Sequence, residues 1–322
     1  MVMLNLSRSV SMSEISLQYI NERIEKDCAA FISECEEHYH ALIDSVAKRT
    51  EDDREIKIIL IAGPSGSGKT TSANLISDRI KKNGRESMVI SFDDFYRDCD
   101  DPEYPRFENG ERDFESPLAL NLPSLCETLK NIALGKSFIL PKYDFKIAKR
   151  VSASCHEPIK DGVVIMEGLH ALNPRVFSLL PEEKLLKIFI SVSTNIVENG
   201  EIIISGRKLR FVRRMVRDSI YRNADAERTL SMWFKVLEGE DAYLYPNRDN
   251  ADISFDTFHP FEIGIMRPFA ETLISDGLSK KEPYVDTVKK ALLKASLIPV
   301  SSLPENSLIR EFVPVGIYEK LY

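Results

Sequence analysis

Short runs of apolar residues alternate along the chain with longer segments whose apolar side chains recur every three or four positions. The short runs predict buried strands, at residues 56–62, 87–92, 163–166, 185–192 and 252–255. The periodic segments predict amphipathic helices, near residues 69–82, 118–133, 208–222, 226–238 and 262–275. Strands that alternate with helices are typical of a parallel sheet with helices on both faces, so the pattern predicts an α/β fold.

Two further segments flank this alternating region. Residues 14–49 have a helical apolar stripe, which predicts one or two helices that pack against the protein or form a dimer interface. Residues 307–322 are rich in apolar side chains, so we expect this tail to dock on the rest of the chain. The predicted organisation is an N-terminal helical extension at 1–52, a central domain at 53–282, and a C-terminal helix with a docking tail at 283–322.

Composition narrows the classes of function. The chain has 322 residues and a formal net charge of −7, which disfavours a nucleic-acid coat or a basic membrane-surface protein. Its five cysteines are far apart and form no CxxC pair, so neither a disulfide scaffold nor a zinc cage is expected. No apolar run is long enough to span a bilayer, and the first residues do not resemble a signal peptide. We expect a cytoplasmic protein without nucleic-acid or membrane partners.

The clearest motif lies between the first of these strands and the helix that follows it. Gly63-Pro64-Ser65-Gly66-Ser67-Gly68-Lys69-Thr70, followed by Thr71, matches the phosphate-binding pattern G-x-x-x-x-G-K-[ST]. The glycines let the backbone curl so that its N–H groups face phosphate oxygens, and the helix N-terminus adds positive charge. Lys69 is expected to reach the β- and γ-phosphates, and the Thr70 hydroxyl to bind Mg²⁺. The alternative is a turn of this composition without function.

Carboxylates end two other predicted strands. Glu167 follows an apolar run, as expected where the end of a strand meets Mg²⁺ in a phosphoryl-transfer site. Asp93 and Asp94 end the second strand, and either could take the proton of an attacking hydroxyl. An ordinary strand end or turn is the alternative at both places.

Residues 93–115 contain ten acids and three arginines. This excess of acidic residues would repel a phosphorylated acceptor, so it favours a neutral, hydroxyl-rich one. An exposed loop with no role in binding could have the same composition. No guanine-reading [NT]KxD sequence is present, which disfavours a GTPase.

Four arginines share one face of the helix predicted at 208–222: Arg210, Arg213, Arg214 and Arg217. Arginine forks on a movable helix can close over a triphosphate and neutralise the charge that spreads during transfer. Gly200 and Gly206 are candidate hinges for such a lid, at about residues 200–226. A solvated basic face and a small nucleic-acid patch are the alternatives.

Taken in order, the motifs resemble those of the uridine kinase and phosphoribulokinase group of P-loop kinases. The matching stretches are GPSGSGKTT at 63–71, SFDDFYRD at 91–98, DFESPLAL at 113–120, LPKYDF at 140–145, VIMEGLHAL at 164–172 and RFVRRMVRD at 210–218. The resemblance covers about residues 56–276. It implies a P-loop NTPase-type parallel sheet, ATP and Mg²⁺ as cofactors, and a small-molecule nucleoside as substrate.

The resemblance also implies roles by position. The catalytic residues would be Asp93, Lys69, Arg213 and Arg217, while Arg210 and Arg214 would bind the nucleotide together with the loop. The substrate would contact Asp93, Tyr96, Glu115, Tyr143 and Arg213, and the metal ion would be held by Thr70 and Glu167. The implied reaction is transfer of the ATP γ-phosphoryl group to the 5′-hydroxyl of a nucleoside, most simply uridine or cytidine.

Two departures from the family pattern concern the acceptor. Residues 146–150 read Lys-Ile-Ala-Lys-Arg where uridine–cytidine kinases carry a base-contacting histidine, and Glu115 stands where an aspartate is usual. One alternative is a kinase of another small hydroxyl compound, of the sugar, sugar phosphate, glycerate or pantothenate type. Another is a nucleotide-binding regulatory protein without small-molecule kinase activity. Assembly into a homo-oligomer stays open.

Overall fold

The structure is a computed structural model that describes residues 13–274, 278 and 282–314. Its strands are β1 (Glu14–Ser16), β2 (Ile58–Ala62), β3 (Ser87–Ser91), β4 (Phe138–Asp144), β5 (Lys149–His156), β6 (Val163–Glu167), β7 (Leu185–Ser191), β8 (Asn195–Glu198), β9 (Glu201–Ile204) and β10 (Ile253–Asp256). Its helices are α1 (Leu17–Asp52), α2 (Lys69–Lys82), α3 (Leu122–Ala133), α4 (Pro174–Phe177), α5 (Gly206–Tyr221), α6 (Ala226–Gly239), α7 (Glu262–Leu273) and α8 (Pro283–Leu293).

A five-stranded sheet in the order β10–β7–β2–β6–β3 forms the centre of the fold, and all its neighbouring strands run parallel. These are the five strands predicted from the apolar runs. Alternate residues of β2 enter two separate apolar cores: Ile59 and Ile61 face one side of the sheet, and Ile58 and Leu60 face the other. Helices α1, α2, α5 and α7 contribute to the first core, and α3 and α4 to the second. The predicted α/β class, with helices on both faces of a parallel sheet, is confirmed.

The N-terminal extension is one long helical element, α1, with a break at Asp27. The backbone of Asp27 leaves the helical region, and its carboxylate accepts a hydrogen bond from the N–H of Ala30 at 3.0 Å, which caps the second half. The buried face of α1 includes Ile43 and Val46 and belongs to the same apolar cluster as β2 and α2. Within the described ranges, no helix combines the length and the apolar character needed to cross a bilayer.

The chain beyond α8 returns to this same core. Leu308, Ile309 and Phe312 are completely buried in a short 3₁₀ turn, Leu308–Phe312. These side chains lie in the cluster that also contains helices α2, α5 and α7. The predicted docking tail extends to residue 322, and its residues 315–322 lie outside the described part of the chain. The proposed domain boundaries stay a prediction.

The region expected to be a hinged lid begins with ordered strand structure. Asn199 and Gly200 both have positive φ, 52° and 82°, and form the tight turn that joins antiparallel strands β8 and β9. Gly206 approaches the backbone just after β7 so closely that an added Cβ would collide with the carbonyl oxygen of Val192. Gly200 therefore lies in a hairpin turn and Gly206 at a close backbone contact. The role of these glycines as hinges of a lid stays a prediction.

This contact gives a stability prediction. Gly206→Ala should destabilise the protein by about 1–3 kcal/mol, because the methyl group overpacks a site closed by backbone. Gly135→Ala is the control: its Cβ would meet open space, so only the cost of its positive φ applies, about 1 kcal/mol. Urea unfolding would measure both. Equal stability of the two variants would contradict the close-contact interpretation.

Candidate active site

The parallel sheet brings three sequence motifs to one edge. The phosphate-binding loop, residues 63–70, follows the central strand β2, Asp93 follows β3, and Glu167 ends β6. Strands β3 and β6 both run parallel to their neighbours, with Ser91 opposite Glu167 in register. The carboxyl ends of parallel strands face the same side, which is where open α/β sheets bind ligands.

The loop has the backbone shape of a phosphate cradle. Gly66 and Gly68 have positive φ, 75° and 82°, and Gly63 lies against the carbonyl oxygen of Ile190 with no room for a side chain. Gly68 caps α2 without any side-chain hydrogen bond. The first-turn amides of α2 have no intrahelical acceptors, and the helix dipole adds positive charge there. The site therefore suits the oxygens of a polyphosphate.

Side chains from outside the loop hold its carbonyl groups. Arg210 donates to the carbonyl oxygen of Ser65 at 2.9 Å, and Arg213 donates to that of Gly66 at 3.2 Å. The hydroxyl of Thr257 donates to the carbonyl oxygen of Ser67 at 2.7 Å. In a trans peptide the N–H of the next residue points opposite to the carbonyl. Fixing the carbonyls in this way turns the amides of Gly66 and Gly68 toward the other side of the loop.

Both loop-holding arginines are buried in ion pairs. Arg210 forms a two-pronged pair with Glu240, with distances of 2.8 Å, and both side chains are completely buried. Arg213 pairs in the same way with Glu262 at 2.5 and 2.8 Å and also donates to the Thr257 carbonyl. Their guanidinium groups are engaged by protein, which differs from the expected role of arginines that close over a nucleotide.

Two further arginines of α5, Arg214 and Arg217, share one carboxylate. Arg214 lies 3.2 Å from Asp218 and donates to the Ser65 hydroxyl at 2.9 Å. Arg217 donates to Asp218 at 2.9 and 3.0 Å. Arg222, which was not predicted to belong to the site, approaches the same carboxylate at 3.4 Å. This side of α5 therefore collects three cations around one acid next to the loop.

Lys69 and Thr70 at the start of α2 lie next to Glu167 at the end of β6. Lys69 donates to the Pro64 carbonyl at 3.2 Å, and the Thr70 hydroxyl donates to Glu167 at 3.3 Å. Burial raises the pKa of Glu167 to about 7, with Asp93 acting in the same direction and Lys69 in the opposite one. A buried carboxylate beside a threonine hydroxyl fits a divalent cation, which would neutralise it.

Among the described residues, no group of three or more His, Cys, Asp or Glu side chains is placed to hold a metal ion. A magnesium ion at Thr70 and Glu167 would therefore take its remaining ligands from phosphate oxygens and water, as Mg²⁺ commonly does.

The two adjacent aspartates have different surroundings. Asp94 accepts a hydrogen bond from the N–H of Tyr143 at 3.3 Å and pairs with Lys142 at 3.0 Å, so it ties β4 to the end of β3. The side chain of Asp93 is exposed to solvent. Nearby protein atoms nevertheless remove part of its hydration. This partial desolvation raises the pKa of Asp93, against the opposing effects of Lys69 and Arg222. Asp93 is the carboxylate available to a ligand.

The remaining predicted substrate residues border the same cleft. The rings of Tyr96 and Tyr143 lie 5.8 Å apart, and the Tyr96 hydroxyl donates to the carbonyl oxygen of Phe114 at 3.2 Å. Burial raises the pKa of Glu115 to about 7, with Arg214 acting in the opposite direction. Glu115 thus lies near Arg214, and Tyr143 of β4 packs against Tyr96, which follows β3 along the chain.

Several partners in this site were not predicted from sequence. Besides Arg222, they are Glu240, Thr257, Glu262 and Glu311. Glu240 and Glu262 are completely buried. A buried arginine needs a buried acid, but nothing in the spacing of the chain shows which acid it is.

Known proteins are similar in sequence to the central part of this chain. The sequence model of the Phosphoribulokinase / Uridine kinase family matches residues 58–263. A uridine kinase from Ureaplasma parvum serovar 3 is 31% identical over 198 residues, which cover 61% of this chain and 86% of that protein. Uridine kinase-like protein 5 from Arabidopsis thaliana is 28% identical over 61% of this chain and 38% of its own length.

A solved structure described as a possible uridine kinase from Bacillus stearothermophilus superposes with a TM-score of 0.41 at 19% identity. It covers 62% of this chain and 89% of that one. The family match itself runs from β2 into α7 and contains the phosphate-binding loop, Asp93, Glu167 and the four predicted arginines of α5. Because the match extends over more than half of the chain, this protein belongs to the phosphoribulokinase / uridine kinase family.

Proposed function

We propose that the protein transfers the γ-phosphoryl group of ATP to a hydroxyl of a small molecule, with the 5′-hydroxyl of a pyrimidine nucleoside as the acceptor. The observation that carries this proposal is the placement of Asp93. It is the open carboxylate at the sheet edge that also carries the phosphate-binding loop, and it interacts with Lys69 of that loop. Its neighbour Asp94 is occupied in holding β4.

The chain supports each part of such a transfer. The amides of the loop and the Lys69 ammonium would bind the phosphate oxygens, which leaves the γ-phosphorus facing the cleft. A bound magnesium ion would neutralise charge on the β- and γ-phosphates. The acceptor oxygen forms its bond to the γ-phosphorus, the bond to the β-phosphate oxygen breaks, and the hydroxyl proton passes to Asp93. The raised pKa of Asp93 suits a group that must take up this proton.

The acceptor side favours a neutral, hydroxyl-rich compound. Glu115 and Asp93 can accept hydrogen bonds from sugar hydroxyls, and the rings of Tyr96 and Tyr143, tilted by 45° to each other, provide aromatic surface for a base. Lys142 and Lys149 near the cleft are paired with Asp94 and Asp100, so they are poor candidates for binding a phosphorylated acceptor. The relatives named above are uridine kinases or uridine kinase-like, which agrees with a nucleoside.

The direct experiment is a transfer screen with γ-labelled ATP and Mg²⁺ against nucleosides, sugars, glycerate, pantothenate and sugar phosphates. We expect labelled uridine or cytidine 5′-monophosphate as the main product. If the label is transferred only to another class of compound, the acceptor belongs to that class and not to the nucleosides. Absence of any labelled small molecule, together with ATP binding, would favour a regulatory role instead.

Asp93→Asn should lower kcat by about 10²–10⁴, because it removes the proton acceptor. The affinity for ATP, measured by calorimetry, should change little, since the loop remains intact. Asp78→Asn, at an exposed position of α2, is the matched control and should retain wild-type turnover. Normal turnover of the Asp93 variant would remove this residue from the mechanism.

Glu167→Gln should stabilise the ligand-free protein at pH 8 while it abolishes Mg²⁺-dependent transfer. Because the folded pKa of about 7 exceeds the ordinary value of 4.5, folding loses stability as pH rises between these values, and an uncharged glutamine avoids that loss. The gain should be about 1–3 kcal/mol at pH 8 and should nearly vanish at pH 4.5.

Urea unfolding at both pH values would measure this difference. Glu127→Gln, an exposed acid on α3, should show no pH-dependent gain. A variant that is less stable than the wild type at pH 8 would contradict the raised pKa of Glu167.

A further inference from the structure

The C-terminal segment, Ser307–Val313, lies outside the residues matched by the family model but contacts the phosphate site. It is a locally fixed turn: the Ser307 hydroxyl accepts from the N–H of Ile309 at 3.2 Å. The guanidinium of Arg310 donates to the carbonyl oxygens of Leu303 and Pro304 at 2.6 and 2.7 Å. The segment therefore presents its buried side chains to the rest of the protein from a defined backbone.

Its first contact is with the start of α2. The side chain of Leu308 packs directly on Gly68: its Cδ1 atom would be 2.6 Å from a Cβ added there. The carboxylate of Glu311 accepts a hydrogen bond from the hydroxyl of Thr71, and both residues are almost completely buried. Thr71 follows Thr70 in the first turn of the helix, so the segment holds the turn whose amides and hydroxyl face the phosphate side.

Its second contact is with α5. The other oxygen of Glu311 lies 3.8 Å from Nη1 of Arg217. The ring of Phe312 lies 5.0 Å from the guanidinium carbon of Arg213, and the carbonyl oxygen of Val313 accepts from the Tyr221 hydroxyl at 3.1 Å. One carboxylate thus joins the phosphate-binding helix to the arginine helix.

The contacts of Glu311 with Thr71 and Arg217 depend on the charge of its carboxylate. A buried carboxylate is stable only when charged or hydrogen-bonded partners compensate it, and Thr71 and Arg217 supply both kinds here. An uncompensated acid this close to the loop would repel a polyphosphate. Paired with Arg217, it instead sets the separation of α2 and α5, and a displacement of about 1 Å between reacting groups can cost about 10² in rate.

We propose that Glu311 is a positioning residue for phosphoryl transfer, acting through Thr71 and Arg217. This inference rests on the proposed function, since the rate that it affects is that of the transfer. It makes the C-terminal segment part of the working site, although no atom of the segment needs to touch substrate.

The test compares Glu311→Gln, Thr71→Val and the double variant. Each single variant should lower kcat about tenfold and weaken ATP binding about tenfold, with the KM for the acceptor unchanged. The double variant should be no worse than the more impaired single variant, because both substitutions disrupt the same connection from Thr71 through Glu311 to Arg217. Glu305→Gln, at an exposed position beside the segment, is the matched control and should behave as wild type.

A role in folding alone would lower the unfolding temperature and leave kcat and ATP affinity unchanged well below that temperature, which would overturn the proposal. Fully additive losses would also overturn it. If Glu311→Gln does not fold, Thr71→Val tests the contact from the other side. If the wild type phosphorylates no acceptor, the proposed function fails, and calorimetry of ATP binding to the same variants still decides whether Glu311 positions the loop.

Discussion

The site depends on the outward orientation of the carbonyl groups in the phosphate-binding loop. A loop that offers N–H groups to a polyphosphate must place its carbonyl oxygens elsewhere, and buried carbonyls need donors. Arg210, Arg213 and Thr257 are these donors, and the two arginines are themselves neutralised by buried glutamates. The charge needed to hold the loop is thereby kept on the side away from the ligand, while Lys69 and the helix dipole provide the charge on the ligand side.

Two segments that flank the residues matched by the family model, α1 and the C-terminal segment, also stabilise this arrangement. On α1, the Tyr39 hydroxyl is 2.8 Å from the Ser72 hydroxyl, which in turn donates to the carbonyl oxygen of Gly68 at 2.8 Å. Glu36, also on α1, lies 3.8 Å from the ring of His259 at the start of α7, near the Arg213–Glu262 pair. The N-terminal helix and the C-terminal segment therefore meet at the same first turn of α2, although they are remote from each other along the chain.

Much of the fold could be predicted because local patterns carry the information. Apolar runs marked the strands of the sheet, and the rule that parallel strands end at one edge brought Asp93 and Glu167 to the loop. The hairpin β4–β5 was not predicted, since β5 is mostly exposed and no continuous apolar run marks it. The partners of Arg210 and Arg213 could not be predicted either: they lie 30 and 49 residues away, and no local pattern encodes such pairings. Position on a helix face showed that the four arginines belong together, but not which of them are buried.

The hydrogen bond between Thr71 and Glu311 spans 240 positions of the chain. During synthesis, strand β2 and the start of α2 leave the ribosome long before the acid that holds Thr71 exists. Closing so large a loop carries an entropic cost, which delays contacts of this kind until most of the sheet has formed. Nascent chains will therefore contain the complete phosphate-binding motif for much of their elongation without the buried link that joins it to α5.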